Sequence, residues 1–267
     1  MPMSGRLGGL RESLTGRTAG GAAPELAEDE PQRVVTVLGM HRSGTSSLVG
    51  SLEAAGLPLG EVRSIEGDSN QKGHREPGEI IKLHDDVLMT SGGAWHLPPA
   101  QVSWSSKQRA RRDEFISAHS ASALWGWKEP RTLLVVDGWL EVLPQLEMVG
   151  TFRHPAAVAR SLQRRHGSDT VDMWLELWLA YNRNLLDLVE ARDFPLIDFD
   201  LPAERYRARL GTIIATLGLQ APAAGSEFFD ASLRTSQRQT PPEVTLPLEV
   251  ERVYTHLVGI AGEQATG

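Results

Sequence analysis

Two rhythms of hydrophobic and polar positions run through the chain. Short apolar, β-branched runs at 34–38, 146–152 and 194–199 have the composition of strands buried on both faces. Elsewhere apolar residues return every three or four positions. That spacing predicts helices over 45–55, 78–89, 107–122, 132–143, 156–165, 171–191, 206–217 and 248–260. The 107–122 segment is rich in charge and is expected to lie exposed. The 171–191 segment carries Trp174, Leu177, Trp178, Tyr181, Leu185 and Leu188 as one stripe, a core face rather than a ligand site. Strands alternating with helices indicate a parallel sheet in an α/β sandwich, formed by one domain over 33–267. Residues 1–32, rich in Gly, Ala, Arg and Glu without period, read as a flexible leader. The acidic cluster Glu25, Glu28, Asp29 and Glu30 argues against a targeting peptide there. No internal repeat is visible.

The first strand runs straight into Gly39-Met40-His41-Arg42-Ser43-Gly44 and then the hydroxyl-rich helix start Thr45-Ser46-Ser47. Strand, glycine-bounded loop and helix N-terminus together make an anion cradle, with backbone N–H groups and the helix dipole converging on one spot. The G-x-x-x-x-G spacing is that of a P-loop, but Thr45 stands where the phosphate-binding lysine belongs. A cation appears instead at Arg42. A nucleotide with one 5′-phosphate and an attached group suits this loop better than a triphosphate. An ordinary glycine turn is the bland alternative.

Composition narrows the classes. The 267 residues contain no cysteine, which excludes disulfides, cysteine catalysis and thiolate-bound zinc. A formal charge of −7 argues against a general nucleic-acid or anionic-membrane binder. No apolar run approaches the roughly 18–20 residues of a membrane span, and no secretory signal opens the chain, so a cytoplasmic enzyme is the default. Gly92-Gly93, Trp95, Pro98-Pro99 and Trp104 mark 91–106 as a loop suited to face a substrate, although both tryptophans would also serve a core.

A second anion site is suggested by Arg153, directly after the 146–152 strand, and Ser161, about two helical turns further on. Two phosphate motifs in this order resemble those of the sulfotransferases that use 3′-phosphoadenosine 5′-phosphosulfate (PAPS), particularly bacterial sulfotransferase-family proteins. The segment 68–76, DSNQKGHRE, is similar to another stretch of that family. Trp127-Lys128-Glu129-Pro130-Arg131 resembles its K-[DE]-P-R segment, and 197–200 with the following helix fits its later strand–helix pair. The resemblance spans roughly 33–220. It implies a three-layer α/β/α sandwich with a central parallel sheet, P-loop nucleotide-hydrolase-like, and sulfuryl transfer from PAPS, leaving adenosine 3′,5′-bisphosphate (PAP). The acceptor is a hydroxyl or amine of a carbohydrate, lipid or small metabolite, and no metal is expected.

By the same resemblance Arg42 stands beside the transferring group, and Ser43, Gly44, Thr45, Ser46 and Ser47 hold the 5′-phosphate. Arg153 and Ser161 hold the 3′-phosphate. Glu76 is the first candidate for general base and His74 the second. Lys128 and Arg131 are placed to touch donor or acceptor, while Glu129 pairs with one of them. Solvated or packed roles are expected of His84, His96 and His166. Arg234 is a weaker addition to the 3′ site, since the family's glycine-rich C-terminal motif is not evident. Two other readings are an altered P-loop kinase or NTPase, disfavoured by the missing lysine, and a nucleotide-binding module without catalysis.

Overall fold

The computed structural model describes residues 32–62, 73–167, 170–223, 225–233 and 244–265. Residues 1–31 of the expected leader, the 68–72 part of the DSNQKGHRE segment and Arg234 lie outside these. Four parallel strands, β1 (Arg33–Leu38), β2 (Leu124–Lys128), β3 (Glu147–Phe152) and β4 (Leu196–Asp198), form one sheet in the order β2-β1-β3-β4. The helices are α1 (Thr45–Ala54), α2 (Gly78–Thr90), α3 (Ser106–Ser117), α4 (Thr132–Val135), α5 (Asp137–Leu140), α6 (Pro155–His166), α7 (Val171–Arg192), α8 (Ala203–Thr216) and α9 (Leu248–Glu263).

Alternation along β1 builds the three layers. Val35 and Val37 face a cluster shared with Leu48 and Leu52 of α1 and Ile213 of α8. Val34 and Leu38 face the opposite cluster, which holds Ile80 of α2, Leu162 of α6, Trp178 of α7 and Leu257 of α9. The aromatic stripe of α7 is core, with Trp174, Trp178 and Tyr181 all buried.

Four local expectations are corrected. The segment around Trp125 and Trp127, given no element in the sequence, forms β2. Its two tryptophans pack inward on one face, while Gly126 between them lies against β1, where an added Cβ would come within 2.5 Å of the Val35 carbonyl oxygen. The 132–143 helix is two short helices, α4 and α5. Helix α3 is not simply exposed, because Gln108, Arg112 and Phe115 are buried. The 91–106 loop divides, with Trp104 buried against Trp139 and His84 while Trp95 stays half-buried near the glycine loop. No helix among the described residues is long and apolar enough to cross a membrane.

Candidate active site

Backbone geometry makes the glycine loop. Gly44 sits at φ +87°, and a Cβ there would fall 2.1 Å from the Phe199 ring. Arg42 occupies the left-handed region at φ +70°, unfavourable for a residue with a Cβ. Thr151 of β3 fastens the loop from below, its hydroxyl donating to the Ser43 carbonyl at 2.9 Å. No side chain caps α1, so its first-turn N–H groups stay open toward the loop. Thr45 is buried, Ser47 half-buried, and the fully buried Ser43 hydroxyl finds no hydrogen-bond partner among the described residues.

The glycine loop and the Arg153–Ser161 motif meet. Arg42 Nε donates to Ser161 Oγ at 2.9 Å across 119 residues of sequence, and Arg153 Nη1 donates to the Arg42 carbonyl at 3.4 Å. Arg153 is itself oriented by Asp200, whose Oδ1 accepts from Arg153 Nε at 3.1 Å and whose Oδ2 accepts from the His154 N–H at 3.0 Å. Trp178 Nε1–H donates to the Arg153 carbonyl at 3.0 Å. Burial, and then the charges of Arg165, Arg153 and Arg164, push Arg42 down to about 10. Crowding like charges around a half-buried guanidinium is unfavourable unless an anion joins them.

A lysine does reach the loop, from another strand. Lys128 ends β2 in register with Val37 of β1, and its Nζ lies 3.2 Å from Ser46 Oγ and 2.7 Å from Glu76 Oε1. Its side chain is only 1% exposed. Burial pushes its pKa down while Glu76 pulls it up, and burial prevails. Ser46 Oγ also donates to the His74 carbonyl at 3.4 Å. Burial likewise lowers His74, against the pull of Glu76, which leaves a neutral imidazole at neutral pH. Glu76, His74, Lys128 and Ser46 therefore form one cluster at the cradle's edge.

Sequence reasoning left one network unassembled. Glu129 is fully buried, accepts the Arg131 N–H at 3.0 Å, pairs with the Arg131 guanidinium, and lies 2.7 Å from His84 Nδ1. Trp139 Nε1 lies 2.9 Å from His84 Nε2. An indole N–H only donates, so His84 Nε2 accepts and the ring proton sits on Nδ1, directed at Glu129. Burial would raise the Glu129 carboxyl, but His84 and Arg131 outweigh it and hold it near 2. Two signals pointed here, a histidine on the apolar stripe of α2 and an acid between two cations. His84 is thus a packed histidine, as expected, with a defined partner.

Aromatic rings close the other side. Trp95 packs on His41 at 4.9 Å, on His166 at 5.6 Å and on Trp174 at 6.5 Å, and Tyr181 Oη donates to its carbonyl at 2.9 Å. Burial, then Arg131, push His41 down to about 3, and its Nε2 has no partner among the described residues. His96 is exposed. Among the described residues no group of three His, Asp or Glu side chains is arranged to hold a metal ion.

No protein-family model and no curated protein matches the chain. Solved structures do. The sulfotransferase domain of the Synechococcus PCC 7002 olefin synthase aligns over 88% of this chain and 98% of its own, with TM-score 0.53 and 19% identity. The sulfotransferase domain from the curacin biosynthetic pathway aligns over 86% and 98%, with TM-score 0.55 and 12% identity. At these identities the likeness is one of fold, a sulfotransferase-type, Rossmann-like α/β/α sandwich.

Proposed function

We propose that this protein is a sulfotransferase that draws its sulfuryl group from PAPS and passes it to an acceptor hydroxyl or amine. The observation that carries the reading is the junction of Arg42 with Ser161 and Arg153. It closes the glycine loop and the strand–helix motif into one cationic cradle without the lysine of a triphosphate loop. The residues present fit the donor. A buried, unpartnered Ser43 hydroxyl, open N–H groups of α1 and a crowd of guanidinium groups all call for an anionic ligand.

Bound there, PAPS supplies an electrophilic sulfur and a phosphate leaving group. Ser43 to Ser47 and the α1 N-terminus hold the 5′ end, while Arg153 and Ser161 hold the 3′-phosphate. Arg42 and Lys128 are fixed donors for the charge that develops between them. Lys128 Nζ, 2.7 Å from Glu76 Oε1, aims the Glu76 carboxylate, and Glu76 is the base that takes the acceptor proton. His74, held neutral, is the second group able to do so. A small-metabolite acceptor over Trp95 suits the company of the two fold neighbours, which are domains of biosynthetic systems by name.

The altered-NTPase alternative requires a cation for the β- and γ-phosphates, a role that would fall to Lys128, 3.2 Å from Ser46 Oγ. Calorimetric titration with PAP, AMP and ATP separates the readings. The proposal expects PAP to bind at least tenfold tighter than AMP, and Arg153→Ala to erase that margin, since a charge-assisted contact to phosphate contributes about 1.5–3 kcal/mol. Equal affinity for PAP and AMP in the intact protein would sink it.

A further inference from the structure

Ser46, Gly50 and Glu53 follow one another on α1 at intervals of four and three, so they share a helix face. Each holds a piece of chain from elsewhere. Ser46 Oγ donates to the His74 carbonyl at 3.4 Å, and Glu53 Oε2 accepts from Arg75 Nε at 2.6 Å. Gly50 seats the Phe228 ring, which an added Cβ would meet at 2.4 Å. The Arg75 guanidinium lies over that ring, 4.2 Å from its centroid. Residues 73–77, which lead into α2, are therefore strapped along α1. Arg75 stands at φ +53°, a left-handed backbone that is unfavourable for a residue with a Cβ. Glycine would adopt it without strain, whereas the arginine adds a side chain that joins α1 to the Phe228 segment. An ion pair whose side chains are 19% and 37% exposed contributes little to stability by itself. Its worth lies in where it holds the chain, because the residues on either side of Arg75 are the two candidate bases.

We infer that Arg75 is a positioning residue, a latch that holds His74 and Glu76 at the transfer point by fastening residues 73–77 to Glu53 and Phe228; its catalytic purpose rests on the donor reading above. Rigid peptide planes on both sides pivot about the Arg75 Cα, so pinning its side chain fixes both neighbours. Turning Arg75 out of the left-handed region would swing the His74 carbonyl off Ser46 and the Glu76 carboxylate off Lys128. Arg75, Glu53 and Phe228 are none of the groups assigned above to the donor.

The test is the titration of His74, followed by NMR through its ring Cε1–H in the full chain and assigned from the His74→Gln spectrum. In the parent His74 titrates below the ordinary 6.5: burial lowers it most, Glu76 opposes, and Lys128, Arg165 and Arg42 lower it further. Glu53→Gln separates a latch from a field. Removing a negative charge by itself lowers a nearby imidazole, whereas an unfastened strap exposes His74 and lets it rise toward 6.5. The expected result is a rise. Phe228→Leu, which changes no charge, should raise His74 as well and serves if Glu53→Gln fails to fold. Arg75→Lys, which keeps a cation for Glu53 and the ring, should stay close to the parent. A His74 that falls or stays put in Glu53→Gln, in protein that thermal unfolding shows to be folded, overturns the latch and leaves the donor reading standing. Failure of the intact protein to bind PAP overturns the donor reading, and the catalytic purpose of the latch with it, whatever His74 does.

Discussion

The Lys128–Glu76 pair gives the sharpest test of the cluster. The ammonium is 1% exposed and the carboxylate 14%, at 2.7 Å. Breaking a buried pair by removing one partner costs about 3–5 kcal/mol. Glu76→Gln strands the more buried charge and should cost about 3 kcal/mol at pH 7, or about 6–12 °C in Tm for a chain of this size. Lys128→Met strands a carboxylate that still reaches solvent and should cost less. The double variant should be no worse than Lys128→Met, an interaction of about 3 kcal/mol in the cycle. Proton linkage adds a signature. In the folded protein Lys128 has a pKa below its ordinary 10.5, so between those values the unfolded chain binds more protons and stability rises with pH. Removing Glu76, which holds that pKa up, extends the window toward neutrality. Urea denaturation should therefore show Glu76→Gln recovering more stability from pH 7 to pH 9 than the parent. Strict additivity of the two substitutions, or identical pH slopes in parent and variant, would refute the pairing.

Two other outcomes follow from neighbouring geometry. Glu129 is held near 2 against an ordinary 4.5, so its contribution is whole above 4.5 and is lost as pH falls toward 2. That difference amounts to about 3 kcal/mol, and Glu129→Gln should flatten the loss of stability below pH 4.5 in acid urea titrations; an unchanged slope would contradict the buried network. Gly44→Ala places a Cβ 2.1 Å from the Phe199 ring in a left-handed backbone. It should cost about 2 kcal/mol or more by combined strain and overpacking, measured by denaturant unfolding, and should abolish PAP binding. A variant that unfolds like the parent would show that the loop can rearrange.

What was legible in the sequence was what is local. The β1 run, the glycine spacing and the α1 stripe are contiguous, so pattern alone predicts the cradle and its orientation. Helices α7 and α9 are long enough for their periodicity to survive end effects. β2 was not legible because its five residues, Leu-Trp-Gly-Trp-Lys, mix a strand with a charge, and charged residues inside a core are read from sequence as surface. Lys128 was singled out by the K-[DE]-P-R resemblance, but not its approach to the loop. Thr45 stands where a lysine is missing from the loop, and the parallel register of Val37 with Lys128 brings a lysine to its edge. Arg42 reaching Ser161 is likewise a product of sheet order, which brings β1 beside β3. Assigning Arg42 and Ser161 to separate anion sites followed from their distance in sequence, and the fold makes them neighbours.

Lys128 and Glu129 are adjacent in the chain and partner opposite regions, Glu76 at the cradle and His84 inside the core. Together they act as a register lock on β2. A slip of one position sets Glu129 against Glu76 in one direction, or drives the lysine ammonium at the histidine in the other, and either leaves buried charges unpaired. Sheet registry here is guarded by charge rather than by the shape of the two tryptophans. Over evolutionary time, insertions and deletions should accumulate in the connections flanking β2, such as the 118–123 turn, and be purged from the strand itself.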